Sequence, residues 1–240
     1  VMSFSNIKIL HIDSNHPLLW KQLQELGFTN HQDFTSTKEK IEEKIQDYHG
    51  IVIRSRFKID ATFLDKATNL KFIARVGAGL ESIDCDYAVS KNIALIAAPE
   101  GNKNAVGEHA LGMLLSLLNN LNQADLEIKN GRWNREENRG HELDGKTVGI
   151  IGYGNIGSQL SVLAEGLGMN VIFYDAETKL PLGNATDKKS LREVVSKADI
   201  VSLHVPELAS TKNLINKNNL KYFKEGAILI KIAPSLKYLR

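Results

Sequence analysis

The 240-residue chain is long enough for one large or two small domains, and its hydrophobic content of 42% suffices for a substantial core. Its 30 basic and 28 acidic residues give a formal charge of +2, a near balance that argues against nucleic-acid binding. The single cysteine, Cys85, excludes an internal disulfide and a multi-cysteine metal site. A single cysteine suits a reducing cytosol, so we expect a cytoplasmic protein, and no apolar run approaches the roughly 20 residues that cross a bilayer.

The first hundred residues alternate short apolar runs with helical patterns. Strands are predicted at 7–12, 50–53, 70–74 and 93–96, and helices at 17–26, 38–47, 60–66 and 84–91. This alternation predicts a mostly parallel sheet with helices on its faces. We therefore expect a small flavodoxin-like α/β domain.

Polar and glycine residues follow two of these predicted strands. Arg54, Ser55 and Arg56 come directly after the second strand, where the charges could meet a phosphate or a carboxylate, or lie in solvent. Val76 and Gly77 follow the third strand. Their backbone N–H groups could receive a substrate carboxylate, or the segment could be an ordinary turn.

Residues 98–102 interrupt the alternation with Pro and Gly and predict a domain boundary after residue 99. A long helix is predicted from Asn104 to Lys129. Its broad apolar face suits a homodimer contact about as well as simple burial. Trp133 follows that helix, and we expect it to mark a hinge or to be a core aromatic residue.

An apolar strand pattern then leads straight into Gly-x-Gly-x-x-Gly at Gly152, Gly154 and Gly157. Gly152 allows the sharp turn after the strand, Gly154 lets the backbone approach a pyrophosphate, and Gly157 lets a helix lie close to the sheet. The free N–H groups at the start of that helix, around Asn155 and Ile156, would hold the phosphates.

A second apolar run, 171–174, ends on Asp175, eighteen residues after Gly157. A carboxylate at this place can accept both hydroxyls of an adenosine ribose and would repel a 2′-phosphate. The order of strand, glycine turn, helix, strand and acid therefore predicts a dinucleotide-binding unit that prefers NAD to NADP. The alternative is an ordinary tight turn.

The doubly wound pattern continues beyond Asp175. Further helices and strands are predicted at 191–197, 200–203, 216–223 and 227–230. His204, Val205 and Pro206 stand at the carboxyl end of one of these strands, where open α/β sheets bind ligands. We expect His204 to contact the cofactor and to shape the loop. Residues 100–240 are thus predicted to form a Rossmann-type doubly wound parallel sheet that is incomplete at its C-terminal end.

With these residues placed, the chain resembles the D-2-hydroxyacid dehydrogenase family over essentially its whole length, to about Lys231. The segments that carry the resemblance are Ile53–Arg56, Gly77–Gly79, Ile83-Asp84, Asn102, Glu108, Gly131–Asn134 and Gly149–Gly157. Two further sets of residues resemble the bacterial branch that acts on 3-phosphoglycerate, namely Tyr174-Asp175 with Lys179–Ala185, and Val201–Glu207 with Ser210-Thr211.

The resemblance implies that NAD lies in a cleft between a substrate-binding domain, 1–99, and an NAD-binding Rossmann domain, 100–240. It implies oxidation of 3-phospho-D-glycerate to 3-phosphohydroxypyruvate by hydride transfer, on the route to L-serine, in a homodimer or homotetramer. Ile232 joins the predicted cofactor contacts. The resemblance places the substrate at Arg54, Ser55, Val76, Gly77 and Asn102.

This sequence departs from the family pattern at the catalytic residues. The resemblance implies an Arg at the position occupied here by Pro234, and a Glu and a His downstream of Arg240. We therefore expect none of the three catalytic residues in the sequence as written, as in a truncated or frameshifted chain. Two alternatives stay open: a dehydrogenase for another D-2-hydroxy acid, and a non-catalytic NAD-binding module. No metal site is predicted, because the seven histidines lack metal-type spacing.

Overall fold

A computed structural model of the chain describes residues 4, 6–206 and 208–232. The chain divides into two compact units, Val1–Gly101 and Asn102–Arg240. The division falls two residues beyond the boundary predicted after residue 99. None of the helices in the described part of the chain is both long enough and apolar enough to cross a membrane.

The first unit contains a sheet of five parallel strands in the order β2-β1-β3-β4-β5, which is the flavodoxin-like order. The α/β class predicted for this part of the chain is confirmed. One strand was not predicted, because its sequence, Thr-Asn-His-Gln, lacks the apolar pattern of a buried strand. The strands are β1 (Lys8–His11), β2 (Thr29–Gln32), β3 (Gly50–Ile53), β4 (Phe72–Arg75) and β5 (Ala94–Ala97).

Four α-helices of the described residues cover this sheet, and aspartates begin two of them. The Asp60 carboxylate accepts a hydrogen bond from the Phe63 N–H at 3.1 Å, and Asp84 caps the last helix in the same way. The helix predicted over 38–47 is wrong in length, since it ends at Glu42 and a separate 3₁₀ turn follows. The helices are α1 (Pro17–Glu25), α2 (Lys38–Glu42), α3 (Ala61–Lys66) and α4 (Cys85–Ser90).

The second unit contains another sheet of five parallel strands, in the order β10-β9-β6-β7-β8. Counted from β6, this is the 3-2-1-4-5 order of a doubly wound dinucleotide-binding fold, so the predicted Rossmann type is confirmed. The strand order reverses between β6 and β9, which makes their carboxyl ends the expected ligand position. The strands are β6 (Thr147–Ile151), β7 (Asn170–Tyr174), β8 (Thr186–Asp187), β9 (Ile200–Leu203) and β10 (Ile228–Lys231).

The single helix predicted from Asn104 to Lys129 is wrong, because two helices occupy this segment. Asn120 lies between them in the left-handed conformation, with φ of 52°, and so ends the first helix. Asparagine adopts this conformation more readily than most residues, because its short side chain can hydrogen-bond locally. The helices of the second unit are α5 (Lys103–Leu118), α6 (Leu121–Lys129), α7 (Asn155–Glu165), α8 (Leu191–Lys197) and α9 (Lys217–Leu220).

Both faces of this second sheet are buried, as in a doubly wound fold. Ile150 packs into a cluster with Leu114 of α5 and Leu160 of α7. The next residue, Ile151, points to the opposite face and packs into a cluster with Val194 of α8. Alternate residues of β6 therefore anchor helices on both sides, and this fixes the position of the turn that follows the strand.

Candidate functional site

The glycine turn after β6 is held by backbone contacts that allow no side chain at two positions. Gly152 has φ of 92°, and a Cβ there would lie 2.6 Å from the His204 carbonyl oxygen. A Cβ on Gly157 would lie 2.1 Å from the Gly152 carbonyl oxygen. The start of α7 therefore packs directly on the turn, in agreement with the roles expected for these two glycines.

Gly154 differs from the other two glycines. Its φ is −80°, and a Cβ there would meet no atom of the described residues within 4 Å. The protein's own packing thus gives no reason for glycine at this position. Gly154 is the N-cap of α7, and the first helical N–H groups, at Asn155 and Ile156, have no acceptor inside the helix. This arrangement suits a diphosphate that approaches the backbone closely.

Asp175 lies directly beyond the end of β7, and backbone groups orient its carboxylate. The Tyr153 N–H donates to Asp175 Oδ2 at 2.7 Å, and the Glu177 N–H donates to Oδ1 at 2.9 Å. The residue is half-buried. Each carboxylate oxygen can accept a further hydrogen bond, so the pair of oxygens can receive two neighbouring hydroxyl groups. The geometry fits the adenosine ribose of NAD.

His204 follows β9, on the other side of the strand-order reversal. The Ser202 hydroxyl and His204 Nε2 share a hydrogen bond of 2.8 Å, and Ser202 is fully buried. Burial lowers the pKa of His204 to about 4, so the imidazole is neutral near pH 7. The Val205 side chain lies against the glycine turn, and Pro206 is exposed. These three residues therefore flank the glycine turn on the β9 side.

Three parts of the predicted cofactor site therefore meet at the carboxyl ends of β6, β7 and β9. They are the glycine turn, the Asp175 carboxylate, and the segment from His204 to Pro206. Ile232 comes directly after β10, is half-buried, and packs against the cluster that contains Ile150.

The predicted substrate residues in the first unit divide into exposed and structural groups. Arg54 and Ser55 are exposed after β3, and the Arg54 N–H donates to Asp13 Oδ2 at 2.6 Å. Arg56 has a different role. Its guanidinium donates to the carbonyl oxygens of Ile12, Asp33 and Ser36, so it stabilises the surrounding backbone.

The Val76 N–H is not free to receive a substrate, because it donates to the Ile53 carbonyl at 2.9 Å and continues the strand ladder. This contradicts the role expected for the Val76 backbone. Gly77 keeps that role as a prediction. Its φ is 152°, and a Cβ there would lie 2.4 Å from a guanidinium nitrogen of Arg75.

Sequence reasoning missed Arg75, which ends β4 beside the Arg54 segment. Its Nε donates to the Arg54 carbonyl at 3.2 Å, and its guanidinium covers Gly77. Two arginines thus stand at the carboxyl ends of adjacent parallel strands, an arrangement that favours an anion. Arg75 could have been found in the sequence from its position immediately before the glycine-containing turn.

Three positions named in the sequence analysis remain, namely Asn102, Trp133 and Pro234. Asn102 is the N-cap of α5, and its exposed side chain makes no capping hydrogen bond. Trp133 is 78% exposed, which rules out a core aromatic residue. Pro234 lies outside the described residues. Within those residues, no group of three or more His, Cys, Asp or Glu side chains could hold a metal ion.

Comparison with known proteins agrees with this geometry. Residues 111–234 match the family model for the NAD-binding domain of D-isomer specific 2-hydroxyacid dehydrogenases. The chain is similar to D-3-phosphoglycerate dehydrogenase of Haemophilus influenzae, with 42% identity over 95% of this chain and 56% of that protein. It is 39% identical to the Escherichia coli enzyme of the same name, over 93% of this chain and 55% of that protein. The chain thus spans little more than half the length of these relatives.

A solved structure shares the fold. The glyoxylate reductase from Paecilomyes thermophila superposes with a TM-score of 0.83 at 26% identity, over 93% of this chain and 72% of that one. The family-model match covers just over half of the 240 residues and includes the glycine turn, Asp175 and the segment after β9. The chain therefore belongs to the D-isomer specific 2-hydroxyacid dehydrogenases, through the match of residues 111–234 to the NAD-binding domain of that family.

Proposed function

We propose that the second unit binds NAD with its adenosine ribose on Asp175 and its diphosphate on the start of α7. The observation that carries this proposal is the Asp175 carboxylate, which the N–H groups of Tyr153 and Glu177 orient beside the glycine turn. A 2′-phosphate would meet this negative charge, so NAD is preferred to NADP. His204, Val205 and Pro206 would flank the cofactor on the β9 side, and Ile232 would contact it beyond β10.

We propose further that the protein acts on 3-phospho-D-glycerate and oxidises it to 3-phosphohydroxypyruvate, as a step towards L-serine. The support is the similarity to relatives that carry the name D-3-phosphoglycerate dehydrogenase. The first unit, as the substrate-binding domain, would contribute Arg54 and Ser55 after β3 and the Gly77 N–H after β4. Asn102, at the start of α5, would be a further substrate contact.

Bound NAD would supply the hydride acceptor for this oxidation. The residues of this chain would bind and orient the two ligands. The arginines Arg54 and Arg75 would attract the substrate's negative charges, and the donors of the glycine turn would fix the diphosphate. His204 would shape the cofactor wall, held in place by the hydrogen bond between its Nε2 and the Ser202 hydroxyl.

The substrate proposal can be tested by titrating the chain with 3-phosphoglycerate and with D-glycerate, which lacks the phosphate. We expect the phosphorylated compound to bind at least about tenfold more tightly, because charge-assisted hydrogen bonds to arginine contribute roughly 1.5–3 kcal/mol. Arg54→Gln should remove most of that difference, and Arg139→Gln, at an exposed arginine that pairs with Glu136, is the matched control for arginine loss. Equal affinity for both compounds would refute the assignment to the phosphorylated substrate and leave another D-2-hydroxy acid.

A second candidate function is a non-catalytic NAD-binding module. The observation that favours it is Pro234, which has neither charge nor donor at the position where the family resemblance implies an Arg. This candidate predicts NAD binding without NADH oxidation when 3-phosphohydroxypyruvate is added. Steady oxidation of NADH by the chain would exclude it and support the dehydrogenase.

We also propose that the protein is cytoplasmic and self-associates as a homodimer or homotetramer. The α5 and α6 helices expose apolar side chains at Met113, Leu117 and Leu121, and Leu117 is 58% exposed. Sedimentation equilibrium of the wild type and of Leu117→Glu tests the association. We expect a dimer or tetramer that the substitution weakens, whereas a wild-type monomer would contradict the proposal.

A further inference from the structure

Tyr153 occupies the first variable position of the Gly-x-Gly-x-x-Gly turn, and its side chain lies inside the second unit. Only 3% of the residue is exposed. Its ring stacks on Phe173 of β7, with centroids 3.8 Å apart and an interplanar angle of 17°. Phe173 lies two residues before Asp175 on the same strand. The phenol ring is therefore held against the strand that leads to Asp175.

The Tyr153 hydroxyl belongs to a directed chain of hydrogen bonds. The Leu182 N–H donates to it at 3.2 Å, and the hydroxyl lies 2.7 Å from Ser161 Oγ on α7. Ser161 in turn donates its own proton to the Ser158 carbonyl at 2.7 Å. Because Ser161 has a single proton, the hydrogen between the two hydroxyls belongs to Tyr153. The buried phenol thus donates one hydrogen bond, to Ser161, and accepts one, from Leu182.

Leu182 belongs to the segment 176–185, which connects β7 to β8. The segment begins directly after Asp175, and its Glu177 N–H is one of the two donors that orient that carboxylate. Its other end is attached to α7, where Glu165 Oε1 accepts the Asn184 N–H at 3.1 Å. Tyr153 binds the middle of this segment. Leu182 and Glu177 lie five residues apart in this segment, so we expect release of Leu182 to loosen the position of the Glu177 donor.

We infer that Tyr153 is a positioning residue for the adenosine half of the cofactor. Its backbone N–H orients Asp175 directly, and its hydroxyl holds the segment 176–185 in the position from which Glu177 orients the second carboxylate oxygen. One residue of the turn thus couples the diphosphate site to the ribose site. This inference rests on the proposed NAD function of the second unit.

The test is Tyr153→Phe, which keeps the ring stacked on Phe173 and removes only the hydroxyl. Affinity for ADP-ribose is measured calorimetrically, well below the unfolding temperature of either protein. We expect the dissociation constant to rise about three- to tenfold, since one hydrogen bond contributes roughly 0.5–1.5 kcal/mol. Amide exchange at Leu182 should accelerate in the same variant. Tyr222→Phe, at a tyrosine whose ring lies against Arg192, is the matched control and should change neither quantity.

Ser161→Ala provides a second variant, because it removes the acceptor of the phenol proton. We expect it to weaken ADP-ribose binding in the same direction, and the double variant should bind no more weakly than Tyr153→Phe alone. If the losses of binding free energy in the two single variants simply add in the double variant, the two hydrogen bonds act independently, which would contradict the inference.

The outcomes separate this inference from the function on which it rests. Wild-type binding of ADP-ribose with an unchanged constant in Tyr153→Phe overturns the positioning role and leaves the NAD function intact. A lower unfolding temperature alone, with unchanged affinity, also overturns it, since that is the result of a purely structural role. A wild-type protein that binds no ADP-ribose overturns both.

Discussion

Protonation of His204 should destabilise the second unit as the pH falls below 6.5. Desolvation lowers the pKa of this half-buried imidazole from 6.5 to about 4, so the unfolded chain binds a proton that the folded chain excludes. The stabilisation is fully present above pH 6.5 and is lost as the pH falls through the interval between these two pKa values. At 1.36 kcal/mol for each pKa unit, the total is about 3 kcal/mol, of which about 2 kcal/mol is lost between pH 7 and pH 5.

The assay compares urea unfolding of the wild type and of His204→Gln at pH 7, 6 and 5. Glutamine does not titrate, and its amide can keep a hydrogen bond to Ser202. Other groups with shifted pKa values, including His11 and Asp199, are present in both proteins and cancel in the difference. The wild type should lose stability relative to the variant by about 2 kcal/mol over this range. A difference in unfolding free energy that does not depend on pH would refute the reasoning.

Two pairs of substitutions separate structural from ligand-binding roles. Gly157→Ala should destabilise the second unit by about 1–3 kcal/mol in denaturant unfolding, because its Cβ would press on the Gly152 carbonyl. Gly154→Ala should leave stability unchanged and weaken NAD binding in calorimetry, and unaltered NAD affinity would contradict its role. Arg56→Gln should lower the unfolding free energy of the first unit by about 2 kcal/mol by leaving backbone carbonyls unpaired. Arg54→Gln should leave the unfolding free energy of the first unit almost unchanged. Equal losses of unfolding free energy in the two arginine variants would contradict the structural role of Arg56.

The sequence predicted the parallel sheets because their strands are continuous apolar runs between helical patterns. It missed β2, whose residues are polar, and β8, which has only two residues. The break at Asn120 was also missed, because apolar residues continue at helical spacing on both sides of it. Neither glycine nor proline marks that position, and asparagine in the left-handed region leaves only a weak sequence signal.

The cofactor site was more predictable than the substrate site. The glycine turn and Asp175 belong to one βα-β unit, so their spacing along the chain reflects their spacing in the fold. The engagement of the Val76 N–H by Ile53 depends on pairing between two strands, and the covering of Gly77 by Arg75 depends on one rotamer. Such contacts arise only after the strands are aligned. The hydroxyl contact of Tyr153 with Leu182, 29 residues away, belongs to the same class.

The central claim is that Asp175 and the glycine turn form the adenosine half of an NAD site. The most direct test is NAD affinity of the wild type and of Asp175→Asn, which keeps the side-chain volume and removes the charge. We predict that the substitution weakens NAD binding about tenfold or more, since hydrogen bonds to a charged group contribute roughly 1.5–3 kcal/mol, and that it reduces the preference for NAD over NADP. Unchanged affinity for NAD in Asp175→Asn would contradict the claim.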